Sequence, residues 1–235
     1  MVRQGNKKQQ VLNGLAFLSG VLAIYFELRD NTSLFTVFKP LTTIIILSLL
    51  FLAPKNGDIK LRNTVLAALI FCLMGDILLL WETYFVLGLA SFLMAHIFFT
   101  TAFIRLEGFQ FKGLSLFVLL AIGLGVFFWL KPDLEKLLLP VGIYILVIVF
   151  MAWQGTSLYF ARNKKNYARI GIAVLLFMFS DTLIAIDKFK VPFRWSGPVI
   201  LGTYWVSIGL ITNAMLNGVT QNKEVIINPV FVQEQ

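Results

Sequence analysis

Long uninterrupted runs of apolar residues, separated by short polar segments, dominate the chain. A helix needs about 20 residues to cross the hydrocarbon core of a bilayer, within a range of roughly 17 to 25. Eight runs meet this requirement, at residues 11–27, 34–53, 64–80, 84–104, 114–130, 137–160, 168–187 and 199–217. The runs lack the alternation of a membrane barrel. The pattern therefore predicts an all-α, polytopic membrane helix bundle with eight transmembrane helices, which form a single membrane domain over residues 1–235.

Composition supports this class and excludes several others. Hydrophobic residues make up 58% of the chain and charged residues 14%, whereas roughly a quarter of residues are charged in soluble proteins. These values exclude a soluble domain and a disordered chain. The net charge of +8 comes from Lys and Arg in the short segments between apolar runs. Because these cations form no continuous basic face, we expect no nucleic-acid partner.

The distribution of the same cations predicts the orientation in the membrane, since positive residues concentrate in cytoplasmic loops. Thirteen Lys and Arg residues fall on the side of the N-terminus, and Lys39 lies within a run. The six on the other side are Arg29, Lys131, Lys136, Lys188, Lys190 and Arg194. We therefore expect both termini in the cytoplasm, and a bacterial inner membrane is favoured over an endoplasmic reticulum. The basic segment 188–194 places three cations on the side opposite the termini and so weakens this prediction. Its alternative role is a basic rim over a lipid headgroup.

Four ionisable residues lie inside the predicted spans: Lys39, Asp76, His96 and Asp181. Each such residue costs about 2.5 to 3.5 kcal/mol on insertion scales, which makes it a functional candidate. Helical rise places Asp76 about 6 Å, and Lys39 and Asp181 about 8 to 9 Å, from the span ends opposite the termini. His96 lies deeper, about mid-span. Three charges from three helices are thus predicted to share one layer.

This layer has a structural and a functional interpretation. In the structural one, Lys39 pairs with one aspartate, the other aspartate is protonated or hydrogen-bonded, and His96 is a satisfied buried histidine. In the functional one, two acids and one base provide a proton donor and a carboxylate. We favour the second. The candidate catalytic residues are Asp76 and Asp181, and the candidate substrate-binding residues are Lys39, His96, Tyr144 and Tyr204, the tyrosines entering near the layer of the acids.

A metal site is disfavoured by the residue types available. Catalytic zinc generally takes three protein ligands, commonly histidines, and the chain has one histidine. Lys39 at the depth of the aspartates would also oppose a bound cation. We expect neither a metal nor another cofactor.

Short motifs follow one another from the second predicted span to the eighth. They are Lys39-Pro40-Leu41, Gly75-Asp76 with Leu78-Leu79, Gly88-Leu89-Ala90-Ser91-Phe92 leading to Ala95-His96, Ser180-Asp181-Thr182-Leu183, and Leu201-Gly202-Thr203-Tyr204. In identity and order they resemble the YhhN-like lysoplasmalogenase family of multi-pass membrane proteins. The chain departs from the family's usual pattern at Phe99 and Ile208, where Tyr and Gln are common.

The resemblance implies a hydrolase that cleaves the vinyl ether bond of a lysoplasmalogen, a lysophospholipid, within the bilayer. The products would be a fatty aldehyde and a glycerophospho-headgroup. A vinyl ether hydrolyses by protonation of its β-carbon and capture of the oxocarbenium ion by water, which suits a carboxylic acid and a carboxylate. Asp76 and Asp181 would supply this pair, and which is the acid stays open. Lys39 would set the difference between the pKa values of the two aspartates, or would bind the headgroup phosphate. His96, Tyr144 and Tyr204 would orient water or the glycerol hydroxyl.

Two other functions remain open from the sequence. A proton-coupled carrier is one, because intramembrane Asp, Lys and His also form proton relays. Transporters usually place their site near the midplane, whereas these charges lie to one side, and Gln154 and Asn213 are the polar residues that would continue a relay. A non-catalytic lipid-binding protein, whose aspartates bind an amine headgroup, is the other.

Overall fold

Eight α-helices make up most of the chain in a computed structural model that describes residues 2–53 and 57–227, with side chains described for 7–53 and 57–216. They are α1 (Val2–Leu28), α2 (Thr32–Ser48), α3 (Ile59–Leu78), α4 (Phe85–Glu107), α5 (Gly113–Leu130), α6 (Leu138–Arg162), α7 (Lys165–Phe189) and α8 (Ser196–Ile227). All eight are long and apolar enough to cross a membrane. The all-α class and the eight spans are confirmed, and the protein is an integral multi-pass membrane protein.

Several helix ends differ from the predicted spans. The first helix begins at Val2 rather than at 11, the third at Ile59 rather than at 64, and the eighth continues to Ile227. Hydropathy marks the part of a helix that lies in hydrocarbon, whereas backbone hydrogen bonds continue into polar flanks. At α3 the start is fixed by the Asp58 carboxylate, which accepts a hydrogen bond of 2.9 Å from the Leu61 amide and so caps the helix. Three cations of the orientation count, Arg3, Lys55 and Lys223, lie outside the described side chains.

The helices pack in a closed order around the bundle. α1 packs on α2, α2 on α3 and α3 on α4, after which α4 packs on α6, α6 on α7, α7 on α8, and α8 back on α1. The eighth helix also contacts α2 and α3. Helix α5 lies outside this order and packs mainly on α6. Because helices that follow one another in the chain run in opposite directions, the bundle has two ends, which we call the N-terminal face, where α1 begins, and the opposite face.

Aromatic rings fill the interior between α4, α7 and α8. Phe177 on α7 is fully buried, and the centre of its ring lies 4.7 Å from that of His96 and 5.5 Å from that of Tyr204. Edge-to-face pairs of this kind stabilise by about 0.5 to 1.5 kcal/mol beyond their buried area. On the neighbouring helix, Gly75 allows a close approach, since a Cβ atom there would lie 2.6 Å from the Phe92 ring. This packing holds the polar side chains of α3, α4 and α8 at fixed positions.

Candidate active site

Asp76 lies near the end of α3, buried to 1% exposure. Its Oδ2 accepts hydrogen bonds from the Thr43 hydroxyl at 2.5 Å and from the Tyr204 hydroxyl at 3.0 Å. Thr43 in turn accepts a hydrogen bond from the Trp205 indole at 3.3 Å. Helices α2, α3 and α8 therefore converge on one carboxyl group, and we call Asp76, Thr43 and Tyr204 the Asp76 group.

Lys39 lies one helical turn before Thr43 and is 7% exposed. Its ammonium interacts electrostatically with Asp76 and with Glu27, and it lies 5.7 Å from the centre of the Phe35 ring. Within the described part of the chain, no carboxylate reaches Lys39 at salt-bridge distance. The direct ion pair of the structural interpretation is therefore not formed, and Lys39 acts on Asp76 through space.

Asp181 lies on α7, 9% exposed. Its Oδ2 accepts a hydrogen bond of 2.5 Å from the Tyr144 hydroxyl, and Nε2 of His96 lies 3.4 Å from the same oxygen. His96 is fully buried, and neither ring nitrogen has a partner with hydrogen-bond geometry among the described residues. A buried histidine with unsatisfied nitrogens does not match the structural interpretation of His96. Asp181, Tyr144 and His96 form the Asp181 group.

The two carboxyl groups lie in the same half of the bundle but do not touch. They share no hydrogen-bond partner within the described residues, and their helices α3 and α7 are not extensively packed together. The Phe177 ring contacts both groups, through His96 on one side and Tyr204 on the other. The Cys72 thiol, fully buried, interacts electrostatically with both aspartates. The structure thus brings the six predicted site residues into one region: five belong to two adjacent groups, and Lys39 lies beside the Asp76 group.

An apolar cleft with a cavity volume of about 40 Å³ lies beside the Asp181 group. Its walls come from α4, α5, α6 and α7, and its polar lining consists of Asp181, Tyr144 and Thr182. The described residues of α4 and α5 do not pack extensively on each other, so direct contact between these two helices does not close the cleft. Toward the opposite face the cleft narrows between Phe85 and Phe189, whose ring centres are 6.1 Å apart. The cleft therefore presents an apolar surface with a carboxyl group at Asp181.

Two polar residues of this region, Thr43 and Glu27, are not predicted as site residues from the sequence. Thr43 lies four residues after Lys39, a spacing that puts both on one helix face, and this spacing is the signal by which it can be found. Glu27 carries no such signal, because it lies at the end of its predicted span and reads as a boundary charge. In the structure its Oε2 is buried without a hydrogen-bond partner among the described residues, and its carboxylate packs against Gly197 at the start of α8.

The carboxylates of the site do not gather with other metal-ligating groups. Within the described residues, no cluster of three or more His, Cys, Asp or Glu side chains is arranged to hold a metal ion. The arrangement instead offers two carboxyl groups in different surroundings, one beside a cation and two hydroxyl donors, the other on the wall of an apolar cleft. Such a difference separates the preferred protonation states of two acids.

Comparison with known proteins places this site in a family. The human lysoplasmalogenase TMEM86B is 30% identical over 200 residues, which cover 82% of each chain. The bovine lysoplasmalogenase TMEM86A is 33% identical over 154 residues, 63% of this chain and 62% of the bovine protein. The membrane protein YhhN of Escherichia coli O157:H7 is 26% identical over 199 residues, 84% of this chain and 95% of that protein.

No solved structure matches the chain. The match to the YhhN family runs over residues 34–215, a stretch that contains Lys39, Asp76, His96, Asp181 and both site tyrosines. It therefore covers both groups of the site and most of the membrane-spanning bundle. By this match, which confirms the resemblance, the chain belongs to the YhhN family.

Proposed function

We propose that this protein is an intramembrane hydrolase that cleaves the vinyl ether bond of a lysoplasmalogen into a fatty aldehyde and a glycerophospho-headgroup. The observation that carries the proposal is the carboxyl group of Asp181 on the wall of an apolar cleft. A lipid chain along that cleft would bring a bond near its polar end to a proton donor. The relatives named lysoplasmalogenase support a lysoplasmalogen as the substrate.

Asp181 is the proton donor in this proposal. Its Oδ2 is occupied by the Tyr144 hydroxyl, which leaves Oδ1 to carry the proton toward the β-carbon of the vinyl ether. The apolar lining of the cleft favours the neutral acid before the reaction. As the proton leaves, the hydrogen bond from Tyr144 strengthens because its acceptor becomes charged. This strengthening stabilises the transition state rather than the bound substrate.

Asp76 is the carboxylate in this proposal. Two hydroxyl donors and the nearby Lys39 ammonium are all groups that stabilise an ionised acid. After protonation of the alkene, water attacks the oxocarbenium carbon and transfers a proton to Asp76. The hemiacetal then collapses to the aldehyde and the free glycerol hydroxyl: its hydroxyl proton goes to the Asp181 carboxylate, and Asp76 gives its proton to the leaving glycerol oxygen. Both aspartates thereby return to their starting protonation states. Two carboxyl groups that do not touch leave room for this water, as in inverting glycosidases.

Entry of the substrate follows from the packing. Because the described residues of α4 and α5 do not pack extensively on each other, a lysolipid can enter the cleft sideways from the bilayer. His96, whose ring nitrogens have no hydrogen-bond partner among the described residues, is the group that orients water or the glycerol 2-hydroxyl. The orientation with cytoplasmic termini, and a bacterial inner membrane as the location, are part of the proposal.

A carrier is less well supported by the polar residues of the N-terminal half. Gln154, one of the two residues that would continue a relay, accepts a hydrogen bond from the Gln110 amide at 3.2 Å and donates to its carbonyl at 3.1 Å. The other, Asn213, exchanges hydrogen bonds with Asn13 at 2.9 Å in both directions. Both residues thus tie loops or helices together within their own half and point away from a continuous path to the aspartates.

The test is release of fatty aldehyde from a lysoplasmalogen by the purified protein, beside a lysolipid with a saturated ether. We expect release from the vinyl ether alone. The variants D76N and D181N should each lower turnover by at least a thousandfold while keeping the thermal midpoint. D30N is the matched control, because Asp30 is exposed and at φ 54°, a conformation that Asn also tolerates. A fully active D181N would end the proposal, and uptake into proteoliposomes without product would favour the carrier.

A further inference from the structure

The narrow end of the cleft is flanked by two lysines that the proposed mechanism leaves unused. Lys188 lies near the end of α7, and its ammonium is 5.1 Å from the centre of the Phe85 ring, which lines the cleft. Lys190 follows the helix, with its ammonium 5.8 Å from the centre of the Trp129 ring. Between them lies Phe189, another lining residue of the cleft. Both cations thus lie beside the end of the cleft at the opposite face.

Each lysine currently binds an acid on a different neighbouring segment. Lys188 pairs with Glu82 at 2.5 Å, just before α4, and Lys190 pairs with Asp133, just after α5. The Glu82 side chain is 85% exposed and that of Lys188 33%. Exposed pairs of this kind contribute about 0 to 1 kcal/mol. A competing anion held by other contacts can therefore replace Glu82 at small cost, while the Lys190–Asp133 pair, whose lysine is 18% exposed, is better shielded from solvent.

The spacing from Asp181 suits the polar part of a lysolipid. Lys188 lies seven residues after Asp181 on the same helix, which corresponds to about 10 Å along the axis. A glycerol unit extends from the ether oxygen toward this end of the cleft, and a lysine side chain reaches back along apolar surface with its ammonium free. A phosphate attached to that glycerol would arrive between the two ammonium groups and offer an oxygen atom to each.

We propose that Lys188 and Lys190 form the phosphate-binding site for the lysolipid headgroup, with Glu82 and Asp133 as the anions that the phosphate displaces. The inference rests on the proposed function for the identity of the lipid, and it assigns headgroup recognition to the opening of the cleft rather than to Lys39. Lys39 is buried beside the Asp76 group and is not among the residues that line the cleft. Headgroup binding and control of Asp76 are thereby carried out by different lysines.

The experiment measures binding, so that it does not depend on hydrolysis. The purified full-length protein is titrated with a saturated-ether lysophospholipid and, in parallel, with the same ether glycerol lacking the phosphate. K188Q and K190Q should each weaken binding of the phosphate-bearing lipid by about ten- to a hundredfold, as expected for a charge-assisted hydrogen bond. They should leave binding of the phosphate-free ether within twofold. K136Q, which changes an exposed lysine on the same face, should alter neither.

The acidic partners give a prediction of opposite sign. E82Q and D133N free the lysines, so each should tighten binding of the phosphate-bearing lipid by about two- to threefold. If the salt bridges only hold the helices together, E82Q would instead weaken binding as K188Q does, and this result would overturn the inference. Equal losses of binding for both lipids in K188Q would overturn it too.

If inorganic phosphate binds as tightly as the lysolipid, the ligand of this site is a free anion and not a lipid headgroup, and the inference is wrong. Normal lipid binding without aldehyde release from a vinyl ether would refute the proposed function alone.

Discussion

Removal of one hydroxyl group separates the roles of the two aspartates. In Y144F the ring of Tyr144 is kept while the donor to Asp181 at 2.5 Å is lost. In Y204F the donor to Asp76 at 3.0 Å is lost, but the Thr43 hydroxyl at 2.5 Å remains on the same oxygen. The two variants remove the same atom from chemically equivalent positions. They differ in how many hydroxyl donors are left on the carboxyl group.

The magnitude follows from the charge on the acceptor. A hydrogen bond to a charged group contributes about 1.5 to 3 kcal/mol. The bond from Tyr144 gains most of this strength only when Asp181 has given up its proton, so its loss raises the barrier more than it weakens substrate binding. We therefore expect Y144F to lower kcat by about 10- to 100-fold with KM changed less than threefold. For Y204F, with Thr43 still donating, we expect a loss of about three- to tenfold.

Steady-state aldehyde release, coupled to a dehydrogenase, measures both parameters for the wild type and the variants. Tyr84→Phe is the matched control, because Tyr84 is 45% exposed near the same face and should behave as wild type. Thermal unfolding checks that each variant keeps the fold. The reasoning is refuted if Y144F retains wild-type kcat, or if the loss in Y204F exceeds the loss in Y144F.

Two further substitutions test other parts of the structure. T43V removes the shorter of the two hydrogen bonds to Asp76 and leaves the isosteric side chain, so kcat should fall about tenfold, measured by aldehyde release; unchanged turnover would exclude Asp76 as an ionised participant. G155A places a Cβ atom 2.7 Å from Val174 between α6 and α7, and overpacking should lower the stability by about 1 to 3 kcal/mol. Thermal unfolding measures this loss against G125A, where nothing lies within 4 Å of the added atom; equal midpoints would contradict the tight packing.

Hydropathy predicts the membrane-spanning part of this fold because one physical quantity, transfer into hydrocarbon, decides it. The positions of the helix ends do not depend on this transfer free energy and so cannot be predicted from hydropathy. The start of α3 depends on the carboxylate of Asp58 capping the Leu61 amide, and the first turns of the helix contain Lys60, Arg62 and Asn63. The order in which helices pack is equally invisible to hydropathy, since a lipid-facing Leu and a buried Leu have the same transfer energy. The position of α5 outside the closed order is an example.

The sequence reveals those residues of the site that are ionisable and therefore costly to place in a membrane. Asp76, Asp181, Lys39 and His96 are conspicuous because each is costly in a membrane. Their partners are harder to find, since a threonine in a helix is cheap and gives no signal alone; Thr43 is an example. The separation of the two aspartates by Phe177 also depends on helix rotation and packing, and one phenylalanine among 23 cannot be singled out from the sequence.

The gap between α4 and α5 has a consequence for what happens after bond cleavage. In the proposed reaction the substrate is one amphiphile, but its products belong to different phases. The aldehyde would diffuse sideways between α4 and α5 and dissolve in the bilayer, while the headgroup would leave past Lys188 and Lys190 toward water. Neither product has to pass the other, and dilution into two separate phases suppresses the reverse reaction and product inhibition. The membrane then serves as a sink for one product as well as the source of the substrate.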